Sequence, residues 1–478
     1  MPVTEMQVVV TNRPQRANSL AGRHEPDDRA LVHSPADRKA PYDETVVQAM
    51  VEQLLLDAGW DSENIGSANW NPFGHVVRPG DRVLVKPNWV FHYNKSGQGL
   101  EALVTHSTLL RSILTYVMKA GPGAVVVGDA PLQGCDLAQL TTGAKIDELQ
   151  RHFGAAVVWR DFRRTVLLNA GGIWDRLEGL RPESDYVLYD VGSESLLEPI
   201  SGDAERFRVT LYNPDLMRAT HAVGRHQYLI TADAINADVV INLPKLKTHM
   251  KAGLTGALKN LVGINGNKDY LPHHRKGGTR TGGDCYPGGN RLKLLAESLL
   301  DLSNRSSGRK AYLLRRLSAY VHGMARLFRA DRNLEGSWHG NDTVWRMCLD
   351  LNRILAYGCR DGLLADERQR TVVTITDAIV AGEGEGPLSP LPYHLGALTL
   401  ALNPAAADLV HAHLMGFDWA KIPIVREAFG DFRYPVAEFA PDDVEVVFNG
   451  SVHGRPWPVL SDRPFLASPG WMGHCEAL

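Results

Sequence analysis

The stretch DVVINLPKLKTHMKAGLTGALKNLVGIN, residues 238–265, decides the fold. Residues 238–242 carry Val239, Val240 and Ile241 between polar ends and read as a short buried strand. Lys245, Lys247, Lys251 and Lys259 then crowd around His249, and residues 256–262 read as a helix. A strand followed at once by cations and a helix fits a parallel sheet, whose functional groups gather just past the carboxyl ends of its strands.

Working outward, the same order recurs. RPGDRVLVKPNWV (78–90) is a Pro-Gly turn, a strand over Val83, Leu84 and Val85, and then Lys86 and Asn88. HSTLLRSILTYVMKAG (106–121) reads as a helix, and GPGAVVVGDAP (121–131) as a turn, a strand and a loop that opens on Asp129. DETVVQAMVEQLLLDAG (43–59) repeats Val46, Met50 and Leu54 at helical spacing. Downstream lie a helix in 343–358, a strand with Asp377 and an acidic glycine loop in 372–387, and a further strand–helix unit in 395–416. The expected class is α/β: mostly parallel sheets flanked by helices, in two lobes, with a small antiparallel insertion and a helical basic insertion. The boundaries fall at a polar extended arm (1–42), an α/β lobe (43–162), the antiparallel insertion (163–222), an α/β core with the site loop (223–303), the basic helix (304–335) and a C-terminal α/β part (336–478). Residues 264–290 contain no convincing element and read as a lid or binding loop.

A chain of 478 residues exceeds what one compact core usually supports. Its net charge of −3 gives no general pull toward nucleic acid, so anion binding has to be local. Such a local excess exists: residues 245–291 hold nine Lys and Arg against two Asp. No run of eighteen apolar residues predicts a membrane span. Five scattered cysteines, without a C-x-x-C pair, fit a reducing, cytoplasmic setting and predict no iron–sulfur cluster. Walker, G-x-G-x-x-G and G-x-S-x-G motifs are missing.

A strand end has no structural need for so many cations, because burying one unpaired charge is costly. Lys86, Asn88, Lys245, Lys247, Thr255, Asn260 and Arg275 are therefore the expected binding groups for a small anionic substrate, carboxylate or phosphate. Gly253 and Gly256 allow close backbone approach, and a helix N-terminus adds partial positive charge. His249 and Lys259 are the expected catalytic groups, joined by His106. His274, Asp129 and Asp377 are expected to hold a divalent metal, nickel or magnesium. His106 also reads as a helix cap. The Arg-rich stretch 304–332 has an apolar stripe of Leu313, Leu314, Leu317, Tyr320, Val321 and Met324; it reads as a helix packed on the body, or as a docking face for an acidic partner.

The motifs VLVKPNWV, VVVGDAP, 238–265 and the acidic D-A-I…G-E-G-P segment resemble an uncharacterised family, domain of unknown function 362, over about 83–415. Many members carry a ferredoxin-like cysteine cluster, which this sequence lacks. The run His249, Gly253, Thr255, Gly256, Lys259 also resembles a segment of the lactate racemase family. That resemblance implies His249 as a base, Lys259 as the tether of a nickel-pincer nucleotide, His274 as a nickel ligand and His106 as a second base. Ala257 departs from it, since the racemases have a glycine there. The functional expectation is an enzyme on a small anionic metabolite, performing C–H transfer as a racemase, epimerase or oxidoreductase. The alternatives are a metal-dependent transferase or ligase, and a non-catalytic module for nucleic acid or an acidic protein. Sparse aromatics in the basic runs argue against a platform that stacks single-stranded nucleic acid.

Overall fold

The computed structural model describes residues 2–12, 41–170, 173–178, 180–327 and 333–477. A twelve-stranded sheet forms the centre. Its strands are β1 (Gln7–Asn12), β2 (Arg82–Pro87), β3 (Ala124–Asp129), β4 (Val158–Asp161), β5 (Val239–Leu243), β6 (Lys245–His249), β7 (Gly253–Thr255), β8 (Thr371–Glu385), β9 (Ser389–Tyr393), β10 (Ala397–Ala401), β11 (Glu445–Phe448) and β12 (Ser451–His453). They run in the order β12-β11-β1-β10-β8-β5-β2-β3-β4, with β6 and β9 alongside β8 and β7 alongside β6. The strands that carry the site, β8, β5, β2, β3 and β4, are parallel to one another. The class is α/β as expected.

β2 and β5 are buried along nearly their whole length, which explains their continuous apolar runs. Successive side chains point to opposite faces. Val83, Val85, Val239 and Ile241 join one apolar core, and Leu84 and Val240 the other. Helices α1 (Glu44–Asp57) and α2 (Ser107–Lys119) cover the first face. α3 (Ala257–Asn260), α4 (Val344–Tyr357) and α5 (Pro404–Leu414) cover the second.

Several local expectations need correction. Gln7–Asn12, within the stretch expected as an arm, is an interior strand between β10 and β11, with Val8, Val9 and Val10 buried. Residues 13–40 of that arm lie outside the described residues. The antiparallel insertion does contain a hairpin, Thr165–Ala170 with Ile173–Glu178. Tyr186–Asp190, however, pairs with Arg225–Thr231 beyond the expected boundary. Residues 264–290 are not a lid: Leu271, Asp284, Cys285 and Tyr286 are buried, and His274–Arg275 pairs with Phe207–Arg208.

The basic helix Gly308–Leu327 packs on Arg291–Asn304, with Ser318 Oγ donating to the Ala296 carbonyl and Ser303 Oγ to the Ala311 carbonyl, both at 2.7 Å. Leu313, Leu317 and Tyr320 of the expected packing stripe are instead exposed, at 64%, 48% and 67%. Residues 328–332 lie outside the described residues. Among the described residues, no helix is long and apolar enough to cross a membrane.

Candidate active site: a buried lysine cluster at the sheet's carboxyl edge

The parallel strands end together, so their last side chains converge. Lys86 Nζ lies 2.7 Å from Asp129 Oδ1, a pair between the ends of β2 and β3 with side-chain exposures of 0% and 5%. Asp129 also accepts from Trp89 N at 2.7 Å and Ala130 N at 2.8 Å. Asn260 ties the centre together: its Oδ1 accepts from Lys86 Nζ (3.2 Å) and Asn88 Nδ2 (2.8 Å), and its Nδ2 donates to Asn242 Oδ1 (2.8 Å). A Cβ on Gly263 would come within 1.9 Å of Asp129 Oδ1, so glycine is what lets this pair sit against the chain.

Lys245 forms a second buried pair, 2.6 Å from Asp377 Oδ2. Tyr42 completes it, accepting from Lys245 Nζ and donating to Asp377 Oδ1, both at 2.7 Å. Burial and the neighbouring Asp377 push the Tyr42 hydroxyl well above its ordinary range. Both acids expected as metal ligands, Asp129 and Asp377, are thus occupied by lysines. His106 is the N-cap of α2, its Nδ1 accepting from Thr108 N at 3.2 Å, and its ring stacks on Tyr42 at 3.8 Å. Burial brings it down to about 4, so it is neutral at ordinary pH.

Three further lysines have no carboxylate partner among the described residues. Lys247 Nζ donates to Asn88 Oδ1 at 2.9 Å and to the Leu103 carbonyl. Lys268 Nζ donates to the Ala130 carbonyl at 3.3 Å. Lys259 is half-buried, and its ammonium makes no hydrogen bond or ion pair among the described residues. Lys86, Lys247, Lys268, His249 and His273 all lie below their ordinary pKa values, chiefly through burial, and the charge of Lys259 adds to the shift at each. Lys268 falls to about 7. Thr255 stands opposite Lys247 in the β6–β7 register, and its buried Oγ1 has no hydrogen-bond partner. A buried hydroxyl without a partner is uncommon, and this one stands across the β6–β7 ladder from a lysine that has no carboxylate partner among the described residues.

His249 is buried, and its Nδ1 accepts from Lys251 N (3.0 Å) and Ala252 N (3.2 Å). A neutral ring whose Nδ1 accepts carries its proton on Nε2, a donor. The expected anion site at the helix N-terminus is not open: α3 has one turn, and Ala257 N and Leu258 N donate to Asp408 at 2.7 and 3.0 Å. Gly256 serves that contact, since a Cβ there would meet Asp408 Oδ1 at 1.9 Å. Arg275 turns to Asp284 and Asp342, at 3.6 and 3.7 Å. His274 lies with Cys285 and Glu297, their ligand atoms within 4.8 Å of one another.

Lys86, Asn88, Asp129, Lys247 and Asn260 are joined by hydrogen bonds and an ion pair, Lys245 and Asp377 form a second pair, and Thr255 stands opposite Lys247. Tyr42, Asn242, Lys268, Cys285, Glu297 and Asp408 carry no local pattern that marks them; each reaches its partners across the fold.

The fold and site define an α/β protein with a cluster of buried lysines at the carboxyl edge of its parallel strands. Residues 200–413 match the family described as a domain of unknown function (DUF362), the family its motifs resemble. A thylakoid-associated protein of Synechocystis sp. is 26% identical over 205 residues, 43% of this chain and 46% of that protein. The matched part thus spans under half of that relative. Among solved structures, a protein from Thermotoga maritima shares 10% identity at a TM-score of 0.28, over 73% of this chain and 54% of that one. The lactate racemase apoprotein of Thermoanaerobacterium thermosaccharolyticum shares 11% at 0.30, over 77% and 55%. Overlaps this loose say nothing about the site.

Proposed function

We propose that this chain is an enzyme acting on a small metabolite bearing a carboxylate or phosphate, and that it moves a proton at a carbon beside that group. The carrying observation is the set Lys247, Lys259 and Lys268, three lysines without a carboxylate partner among the described residues, near the unsatisfied Thr255 hydroxyl. An anion there would offset the cost of burying these lysines, to which Asp129 lends only a longer-range attraction among the described residues.

In this reading Lys247, Lys259 and Thr255 Oγ1 hold the anion. Lys268, with a pKa near the working pH, takes the proton as base. His249 donates its Nε2 proton to the oxygen on which charge develops. The Lys86–Asp129 and Lys245–Asp377 pairs hold the strand ends in place.

Incubation in D2O with small 2-hydroxy and 2-amino carboxylates, read by proton NMR, tests the reaction. Loss of the α-proton signal with wild type, abolished by Lys268→Met, is expected. Retention of every α-proton at high enzyme concentration contradicts it.

A second reading concerns 304–332. Leu313, Leu317 and Tyr320 stand exposed on a helix that carries Arg309, Lys310 and Arg316. This face suits an acidic partner, and its binding should weaken steeply with salt.

A further inference from the structure

Apart from the lysine cluster lies a set of side chains that the anion reading does not use. His274, Cys285 and Glu297 are 4%, 1% and 8% exposed, and each offers one ligand atom within 4.8 Å of the others. His274 Nδ1 is buried without a hydrogen-bond partner. Cys285 Sγ accepts from Glu335 N at 3.0 Å. Glu297 is aimed by its surroundings: both carboxylate oxygens accept from Gly277 N at 3.2 Å, and Oε2 accepts from Tyr286 OH at 3.3 Å. Outer contacts of this kind fix the direction of a ligating carboxylate.

We infer that His274, Cys285 and Glu297 bind one zinc-class divalent cation, with a fourth, exchangeable position facing the adjoining cleft. An imidazole, a thiol and a carboxylate form a borderline-soft donor set, suited to zinc, cobalt or nickel. Magnesium and calcium take oxygen donors instead. Three protein ligands with one open position is the arrangement of reactive rather than purely structural zinc sites. The cleft beside them is lined by Arg208, Thr210, Asn304 and His322. Bond lengths of about 2.0–2.3 Å set tetrahedral ligand atoms about 3.5 Å apart, so the three groups close inward as the cation enters and the Cys285 thiol gives its proton to solvent.

The site connects to the lysine cluster through Lys251, whose Nζ donates to the carbonyl of Glu335, the residue whose N–H reaches Cys285. The metal proposal nevertheless stands on its own donors and survives failure of the anion reading.

Cobalt titration of the full chain, after chelator treatment, tests it. The expected result is one Co2+ bound per chain, with an intense thiolate-to-cobalt charge-transfer band and strong tetrahedral d–d absorption. Cys285→Ser should remove the charge-transfer band, and Glu297→Gln should weaken binding at least tenfold. Absence of the band in wild type, or its survival in Cys285→Ser, overturns the proposal. Should Cys285→Ser fail to fold, alkylation of the wild type with peptide mapping decides. Zn2+ should protect Cys285 under mildly denaturing conditions, and equal labelling with and without Zn2+ overturns the assignment.

Discussion

Lys245 Nζ and Asp377 Oδ2 lie 2.6 Å apart with no exposure of either side chain, and Tyr42 bridges them. Asp377→Asn leaves a buried ammonium without its counter-charge, and such losses cost about 3–5 kcal/mol. Urea unfolding should show a fall of that size. Replacing both partners with Met and Leu should cost less than Asp377→Asn alone, because the desolvation penalty then goes with the pair. Equal or additive losses would argue that the two charges do not interact.

Gly263 supports the other pair. A side-chain methyl there would overlap Asp129 Oδ1, so Gly263→Ala must push Asp129 away from Lys86. Overpacking of this kind costs about 1–3 kcal/mol. The melting temperature should fall, and anion affinity with it. A neutral Gly263→Ala would mean that the Lys86–Asp129 contact has room to move.

The sequence predicts where the strands end and that charged side chains collect there, because the apolar runs of β2, β3 and β5 stop within two residues of Lys86, Asp129 and Lys245. It does not predict which cations are neutralised. Tyr42 and Asp377 are 335 positions apart, and Asp408 reaches Ala257 across 151, so no local spacing reveals either contact. The Arg-rich stripe misleads for a similar reason: its helical period is real, but the face that packs carries small residues, Ser318 and Ala325. Gln7–Asn12 is hidden because its short Val run adjoins a long polar stretch.

Lys268 gives a pH signature. Its folded value is about 7 and its ordinary value 10.5, so between these limits the unfolded chain holds a proton that the native chain lacks. Stability therefore rises with pH across that window, by up to about 1.4 kcal/mol per pH unit, and levels off above it. Lys268→Met should remove this rise and be the more stable protein below pH 7. Identical pH–stability curves for wild type and variant would place Lys268 in solvent.

Lys259 puts the central claim to its most direct trial. Its ammonium makes no hydrogen bond or ion pair among the described residues, so Lys259→Met removes repulsion from Lys86, Lys247 and Lys268 without orphaning any acceptor. The decisive measurement is calorimetric titration of wild type and Lys259→Met with inorganic phosphate and a small 2-hydroxy carboxylate, alongside their melting temperatures. The predicted result is that wild type binds at least one of them, while the variant binds it at least tenfold more weakly, a loss of about 1.4 kcal/mol, and melts at the same or a higher temperature. Unchanged affinity, or a variant that loses stability instead of binding, would contradict an anion pocket built on unpaired lysines.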